Sequence, residues 1–440
     1  MSSKSLLADD TAVLKNKKQK KDYGTYTEPA KKLKIYGKYD IIVVGGGTAG
    51  FAAAVASARN NAKTLIIEQF PYFGGTATAS LMAVINGFRN QVEPNSLQTT
   101  KGIGEEVILR LKQIGGLGET HYKCKQYPTT KGNLPFSCTI DIEKFKYITL
   151  KMAVEAGFDI LFHTWFTEVI KEGNKVTGVI FENKSGRQAA FAKVIIDASG
   201  DGDVAFKAGA DYWQTKYDEA PRLEDILMYE LSSPSNAPFE GVRQNSQAVV
   251  RWGPKAEYID ATNADDLTAA EIKTRLALYE HVEDLKKRKP EFEDVIITET
   301  GPRLGIRQTR FIEGLYKITG EDVLAGKMFD DSIAMASKPV IRYYGYRRYL
   351  KHTGYSIPYR CLLPKKVSGL ITAGRCISSD QPAFESWRSM VPCMSIGEAA
   401  GTAAALSVAN AVEPKKLDIK LLQQQLIKQG AEIGQNKSKA

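Results

Sequence analysis

The chain has 440 residues, 43% hydrophobic and 25% charged, the composition of an ordinary globular protein and long enough for two domains. No apolar run approaches the roughly 18–20 residues that cross a bilayer, and no apolar stretch follows Lys4 to make a secretory signal. The net charge of +10 is concentrated in residues 1–38, where ten lysines face four acids, while the other 402 residues hold 50 basic and 46 acidic groups; the folded body is not a basic protein, which weighs against nucleic acid as its partner.

Residues 1–36 read as a Lys-rich leader, either a solvated tail or an anchor on RNA, an acidic partner or a membrane surface. KYDIIVVGGG at 38–47 reads as a strand apolar on both faces, as a buried parallel sheet requires. Thr48 to Asn60 is an alanine-rich helix, and Lys63 to Glu68 a second strand. Residues 102–114 carry Val107, Leu109 and Leu111 among charges and predict an amphipathic helix. Asp141 to Ala156 predicts another, with Asp141 as its N-cap. Four short strands then run from Phe158 to Asp197, with a turn at Asn183 to Gly186. Residues 210–350 are polar and mixed, with one charged helix over Ala269 to Arg288. The strand signal returns at Leu370, and Met394 to Ala411 predicts a helix of small residues. The expected fold is α/β, a Rossmann-like nucleotide-binding domain built from 37–90, 140–210 and 355–430. A mixed α+β substrate domain, 91–139 and 211–354, is inserted into it. Five scattered cysteines, Cys124, Cys138, Cys361, Cys376 and Cys393, form no CxxC pair and predict reduced thiols of a cytoplasmic protein, with neither metal site nor disulfide framework.

Gly45, Gly47 and Gly50 form GxGxxG between strand and helix. The first glycine permits the tight turn, the second lets the backbone approach a pyrophosphate, and the third lets helix and strand pack closely. The helix opens at Thr48 and Ala49, so its N-terminal amides face the anion. Glu68 ends the next strand eighteen residues after Gly50, where a carboxylate accepts from ribose hydroxyls. A second cluster, IIDASGDGDVA at 195–205, also fits GxGxxA, but no strand ending in an acid follows it.

PYFGGTATAS at 71–80 follows this unit. With GIRQTR at 305–310, SIPYRCLLP at 356–364, ITAGRCISSD at 371–380 and SWRSMVPCMSIGEAAGTAAAL at 386–406, it resembles the glutathione-reductase-like flavoproteins, and more closely the bacterial FAD-dependent oxidoreductase family. The resemblance spans roughly residues 37–430 and implies FAD as cofactor. It implies that Gly75 and Thr76 wrap the diphosphate and ribityl part. The Gly200–Asp203 turn would return the chain beneath the diphosphate, with Asp197 and Asp203 structural or in contact with FAD. Relatives follow the glycine matching Gly374 with an aspartate that binds the ribityl chain, whereas here Arg375 follows it. The ribityl contact is then expected from Asp380 or from the amides of Gly397 to Ala400, read as the opening of the last helix.

No cysteine or histidine stands in GGTATAS, so a disulfide reductase is excluded and non-covalent FAD is expected. Arg388 matches an arginine of the family motif and is either a ligand for a substrate carboxylate or the flavin edge, or half of a structural ion pair. His352 is either a general base or a loop histidine. Tyr359 and Arg360 line the pocket or pack the core, while Arg307 and Arg310 read as inter-domain ties. The expected function is FAD-dependent hydride transfer with a small organic molecule, dehydrogenation being the preferred direction. The alternatives are a flavin monooxygenase using NAD(P)H and oxygen, and an FAD-dependent RNA-modifying protein. Substrate, electron acceptor and oligomeric state are not encoded in any motif.

Overall fold

The computed structural model describes residues 23–90, 97–118, 137–214, 224–235, 238–245, 247–256, 259–343 and 346–434. The first part of the described chain runs β1 (Lys34–Val44), α1 (Thr48–Arg59), β2 (Thr64–Ile67), α2 (Thr76–Ala79), β3 (Val84–Asn86), α3 (Ile103–Gln113), β4 (Ser137–Thr139) and α4 (Ile142–Ala156). It continues through β5 (Asp159–Leu161), β6 (Trp165–Glu172), β7 (Lys175–Asn183), β8 (Gly186–Asp197) and α5 (Asp203–Ala208). Then come β9 (Tyr212–Trp213), β10 (Asp225–Ser232), β11 (Val242–Arg243), β12 (Val249–Ala256), α6 (Ala264–Arg288), β13 (Ile296–Thr300) and β14 (Phe311–Ile312). The last part holds α7 (Gly320–Leu324), β15 (Ser332–Ala336), β16 (Val340–Tyr343), β17 (Tyr346–Arg348), β18 (Tyr355–Pro358), β19 (Leu370–Thr372), α8 (Gln381–Trp387), α9 (Met390–Ala409) and α10 (Ile419–Lys428).

The central sheet has seven strands in the order β5-β2-β1-β8-β7-β6, with β19 pairing the far end of β8. β8 changes neighbour along its length. Its first half pairs antiparallel with β7, and its last three residues pair parallel with β19. The parallel strands β2, β1, β8 and β19 therefore end along one edge, at Ile67, Val44, Asp197 and Thr372. The two-sided apolar pattern of β1 has its structural counterpart. Ile41 and Val43 enter one core with α1 and α9, while Ile42 and Val44 enter a second core on the opposite face. Each such fully buried side chain contributes roughly 1.5–3 kcal/mol of burial free energy.

A four-stranded antiparallel sheet, β11-β12-β10-β13, lies in the chain between β8 and β19 and packs its own core against α6. The long charged helix starts five residues before the sequence pattern does, because Asn263 caps it by accepting from Asp265 and Asp266. Asp141 caps α4, accepting from the Lys144 amide at 3.0 Å. On α3, Val107 and Leu111 are buried four residues apart while Leu109 is exposed, as the 3.6-residue period demands. The sequence pattern groups 91–139 with the inserted domain; the described part of that stretch includes α3, which packs against α1, α4 and α9.

Helix α9 begins a turn earlier than its small-residue pattern, at Met390, since Pro392 is tolerated in a first turn whose amides need no intrahelical acceptor. Among the described residues it is also the one helix long and apolar enough to cross a bilayer, contrary to the reading of the sequence. Its apolar length lies inside the protein, with 89% of that stretch buried.

Candidate functional site

Four turns meet at the carboxyl ends of the parallel strands, the edge where open α/β sheets bind ligands. In the first, Gly45 has φ +98°, and a Cβ there would stand 2.5 Å from the Ala198 carbonyl oxygen. A Cβ on Gly50 would collide with the Gly45 carbonyl oxygen, well under 3.0 Å away. Both glycines are thus demanded by the protein's own packing. Gly47 is not: its φ of −61° suits any residue, and the nearest atom to a Cβ there is Gly75 Cα at 3.9 Å. The space beside Gly47 is left open by the chain, at the point where the α1 N-terminus presents the Thr48 and Ala49 amides.

The second turn carries Gly74, Gly75 and Thr76. The Gly74 amide donates to Gly46 O at 2.9 Å, and a Cβ on Gly75 would stand 2.9 Å from Gly47 Cα, so the two glycine segments lie backbone to backbone. Glu68 joins them. Its carboxylate accepts from the Gly46 amide at 2.5 Å and from the Phe70 amide at 2.9 Å, and burial raises its pKa against those bonds.

The third turn follows β8. Asp197 is fully buried and accepts from the amides of Ser199 and Ala205 and from Ser199 Oγ, which fixes the turn. Asp203 opens α5 and pairs with Arg310 at 2.9 Å; burial, then the nearby Asp201 and Asp197, lift it to about 6. The strand after α5 is β9, which pairs antiparallel with β14 and does not join the parallel sheet. The second glycine cluster accordingly lacks the second strand of a separate nucleotide fold.

In the fourth turn, a Cβ on Gly374 would stand 3.0 Å from Ala49 Cβ. Arg375 reaches back to Asp201, 2.9 Å from Nη2 to Oδ1, and its buried Nη1 has no partner. Arg303, which the sequence pattern did not single out, lies at the same edge. Its guanidinium carbon is 5.4 Å from the Phe70 ring centre and its buried Nε has no partner. Asp201, Arg375 and Glu68 are among the charges acting on it. A GPR tripeptide in a polar loop carries no motif, so only the fold reveals it.

Arg388 stands at the C-terminus of α8, one residue before the α9 N-cap Ser389. Its Nε is buried without a partner. Burial first, then Arg307, draws its pKa down to about 9; Glu385 opposes this and Arg375 adds to it. Lys338 Nζ meets Ser389 Oγ at 2.5 Å beside it. Burial lifts the Cys393 thiol, one turn into α9, to about 12, and it feels Arg375, Arg388 and Lys338 together. The N-terminus of α9 is therefore crowded with positive charge.

Several candidates take other places. Gly397 lies inside α9, not at its opening, and a Cβ there would meet the Ala49 carbonyl oxygen; its amide is an interior helical one. Asp380 caps α8, accepting from the Ala383 amide at 2.8 Å and from the Gly320 amide at 3.0 Å. His352 spans Val323 O and the Gly354 amide, at 2.9 and 3.2 Å, through its two ring nitrogens. Tyr359 is buried with its hydroxyl on Pro414 O, and Arg360 is forked onto Asp331. Arg310 ties its segment to the Asp201–Asp203 turn. His121 and Cys124 lie outside the described residues. Among the described residues no cluster of His, Cys, Asp and Glu could hold a metal.

The open space at Gly47, the abutting glycine turns and the two orphaned guanidinium nitrogens fit a dinucleotide with a diphosphate at its centre. The family model of FAD dependent oxidoreductases matches residues 40–221 and 214–426. Curated relatives include the tRNA uridine 5-carboxymethylaminomethyl modification enzyme MnmG of Bacillus licheniformis, 23% identical, with 77% of this chain and 58% of the relative covered. The Bacillus subtilis counterpart is 25% identical, with 61% and 43% covered. The digeranylgeranylglycerophospholipid reductase 2 of Methanothermobacter thermautotrophicus is 28% identical, with 40% and 43% covered. The chain thus spans about half the length of the curated relatives it matches. Among solved structures, a geranylgeranyl bacteriochlorophyll reductase-like protein from Thermoplasma acidophilum aligns at a TM-score of 0.46 and 17% identity, over 90% of this chain and 84% of that one.

Proposed function

Because the chain belongs to the FAD dependent oxidoreductase family, with FAD as its cofactor, we propose that it dehydrogenates a small organic substrate bearing an anionic group, passing a hydride to non-covalently held FAD. In this reading the segment Gly45, Gly47, Thr48, Ala49 and Gly50 cradles the diphosphate, and Glu68 takes the ribose. Gly75, Thr76, Gly200, Asp203, Gly374 and Arg375 close the remaining sides. Gly397 is a packing residue, and the amides that open α9 at Met390 take the place first given to it.

The observation that carries the substrate side is Arg388. A buried guanidinium with an unpaired Nε, in a field made positive by Arg307 and Arg375, is costly unless an anion meets it. A substrate carboxylate there would be oriented by a charge-assisted bond, with the dipole of the 20-residue helix α9 adding to the pull. Non-covalent FAD is supported by the absence of histidine and cysteine between Gly74 and Ser80.

The test is anaerobic bleaching of the flavin against a metabolite library. A carboxylate-bearing compound should bleach it, and Arg388→Met should raise the concentration required roughly 10- to 100-fold. Bleaching by NAD(P)H, with oxygen uptake coupled to hydroxylation, would replace this reading with a monooxygenase.

A second reading, modification of an RNA base, is favoured by the tRNA-modifying relatives, which match 61–77% of this chain. Against it stands the near balance of charge after residue 38. It requires flavin turnover that depends on tRNA and falls when residues 1–35 are removed.

A further inference from the structure

Arg303 and Arg375 come from segments about 70 residues apart in the chain, yet share one acidic neighbour, Asp201. That carboxylate is already committed: Oδ1 takes Arg375 Nη2 at 2.9 Å and the Thr309 hydroxyl at 2.8 Å. Glu68, the other acid acting on Arg303, is committed to the amides of Gly46 and Phe70. Asp201 and Glu68 therefore surround the pair without meeting Arg303 Nε or Arg375 Nη1, both buried and unpartnered. Removing a guanidinium nitrogen from water without an acceptor is expensive, and the donors that remain suit an anion with several oxygens, each able to take a planar N–H.

The place of these donors narrows the anion. Arg375 Nη2 lies 2.7 Å from where a Cβ on Gly200 would stand, and Arg303 stacks over Phe70, two residues past Glu68. Both thus border the strand ends that carry the open turn at Gly47. Arg303 is also fixed by its backbone, its amide donating to Ala79 O at 3.0 Å and the next carbonyl, Leu304 O, accepting from Ser80 Oγ at 3.2 Å.

We propose that Arg303 and Arg375 form a two-arginine clamp on the diphosphate of FAD, an inference that rests on the placement of FAD at the Gly45–Gly50 turn. Arg375, one half of the clamp, stands where the relatives' pattern after Gly374 has an aspartate. It also makes cofactor loading depend on the inserted segment, because Arg303 follows Gly301, whose amide bonds to Met228 O on β10.

The experiment compares apoprotein affinities for FAD and for riboflavin, which lacks phosphate, by quenching of flavin fluorescence. Arg303→Met and Arg375→Met should each weaken FAD roughly 10- to 100-fold and leave riboflavin unchanged, and Arg303→Lys should recover part of the loss. Equal weakening of both ligands, or unaltered FAD affinity in the Met variants, overturns the clamp. Should a Met variant fail to fold, the Lys variant decides: it must bind FAD more weakly than the native protein while matching it for riboflavin. Gly47→Ala separates the two levels of the argument. If it binds FAD as tightly as the native protein, the placement of FAD is wrong; if it loses FAD while the arginine variants do not, only the clamp is.

Discussion

The carbonyl oxygen of Ala49 occupies the space where a Cβ on Gly397 would stand. Gly401, one turn on, has the same relation to Ala53, and Ser57 Oγ donates to Gly401 O at 3.3 Å. Helices α1 and α9 therefore touch backbone to backbone at two successive turns, a closeness that only small residues allow. Since Ala49 sits in the first turn of α1, this contact also positions the N-terminal amides that the proposed reading assigns to the diphosphate. Replacing a helical glycine by alanine gains about 1 kcal/mol of helix propensity, but overpacking against backbone costs roughly 1–3 kcal/mol or more. The clash is with main-chain atoms that cannot rotate away, so the cost should win. Gly397→Ala and Gly401→Ala are expected to lower the melting temperature and to reduce flavin content together; a stabilised, fully yellow variant would contradict the packing described.

Gly47 and Gly50 differ in kind although the motif treats them alike. Gly50→Ala drives a methyl into the Gly45 carbonyl and should disrupt the βαβ unit itself. Gly47→Ala meets nothing nearer than 3.9 Å and should yield apoprotein of native stability with impaired FAD affinity. The check is thermal unfolding of flavin-stripped protein beside absorbance of the purified holoprotein. If both variants lost stability equally, the open space at Gly47 would have a structural purpose.

The legible part of the site was local in sequence. Residues 39–68 announce a strand, a turn and a helix because the apolar run, the glycine spacing and the alanine-rich stretch follow one another directly, and Gly50 answers Gly45 five positions back; Asp141 is readable as a cap because its acceptor role spans three residues. Arg303 was not readable, since its value arises from Ala79, Glu68 and Asp201, more than 100 positions away in every case. The start of α9 was misplaced because the small-residue pattern begins only at Met394, while the first turn, with Pro392 in it, lies ahead of that pattern. Asp380 invited a ligand role by its position after the ITAGR strand, yet a free N-terminus of α8 competes for the same carboxylate and takes it.

His352 braces a loop. With Nε2 on Val323 O and Nδ1 accepting from the Gly354 amide, the neutral ring has no nitrogen left to accept a substrate proton. His352→Asn should cost about 1 kcal/mol of stability through the lost bonds and leave flavin content intact. The pH dependence of flavin bleaching by the substrate should be unchanged. Disappearance of a titrating limb near neutral pH would return the histidine to the chemistry.

Glu398 gives the sharpest pH prediction. It is 1% exposed inside α9, accepts from the Ile103 amide at 2.9 Å, and burial raises its pKa to about 7 against that bond and the Gln429 side chain. A carboxyl whose folded pKa lies above its unfolded one of 4.5 binds its proton more tightly in the folded state. Its contribution to stability is therefore greatest below the unfolded pKa, falls as pH climbs between 4.5 and about 7, and is flat above that. The loss across the window is on the order of 3 kcal/mol. Glu398→Gln keeps an oxygen for the Ile103 amide and carries no charge. The variant should match the native protein near pH 4.5 and exceed it by a similar amount at pH 8. Denaturant midpoints measured at the two pH values decide it, and a variant less stable than the native protein at pH 8 would mean that the carboxylate is held ionised, with a partner that compensates its burial.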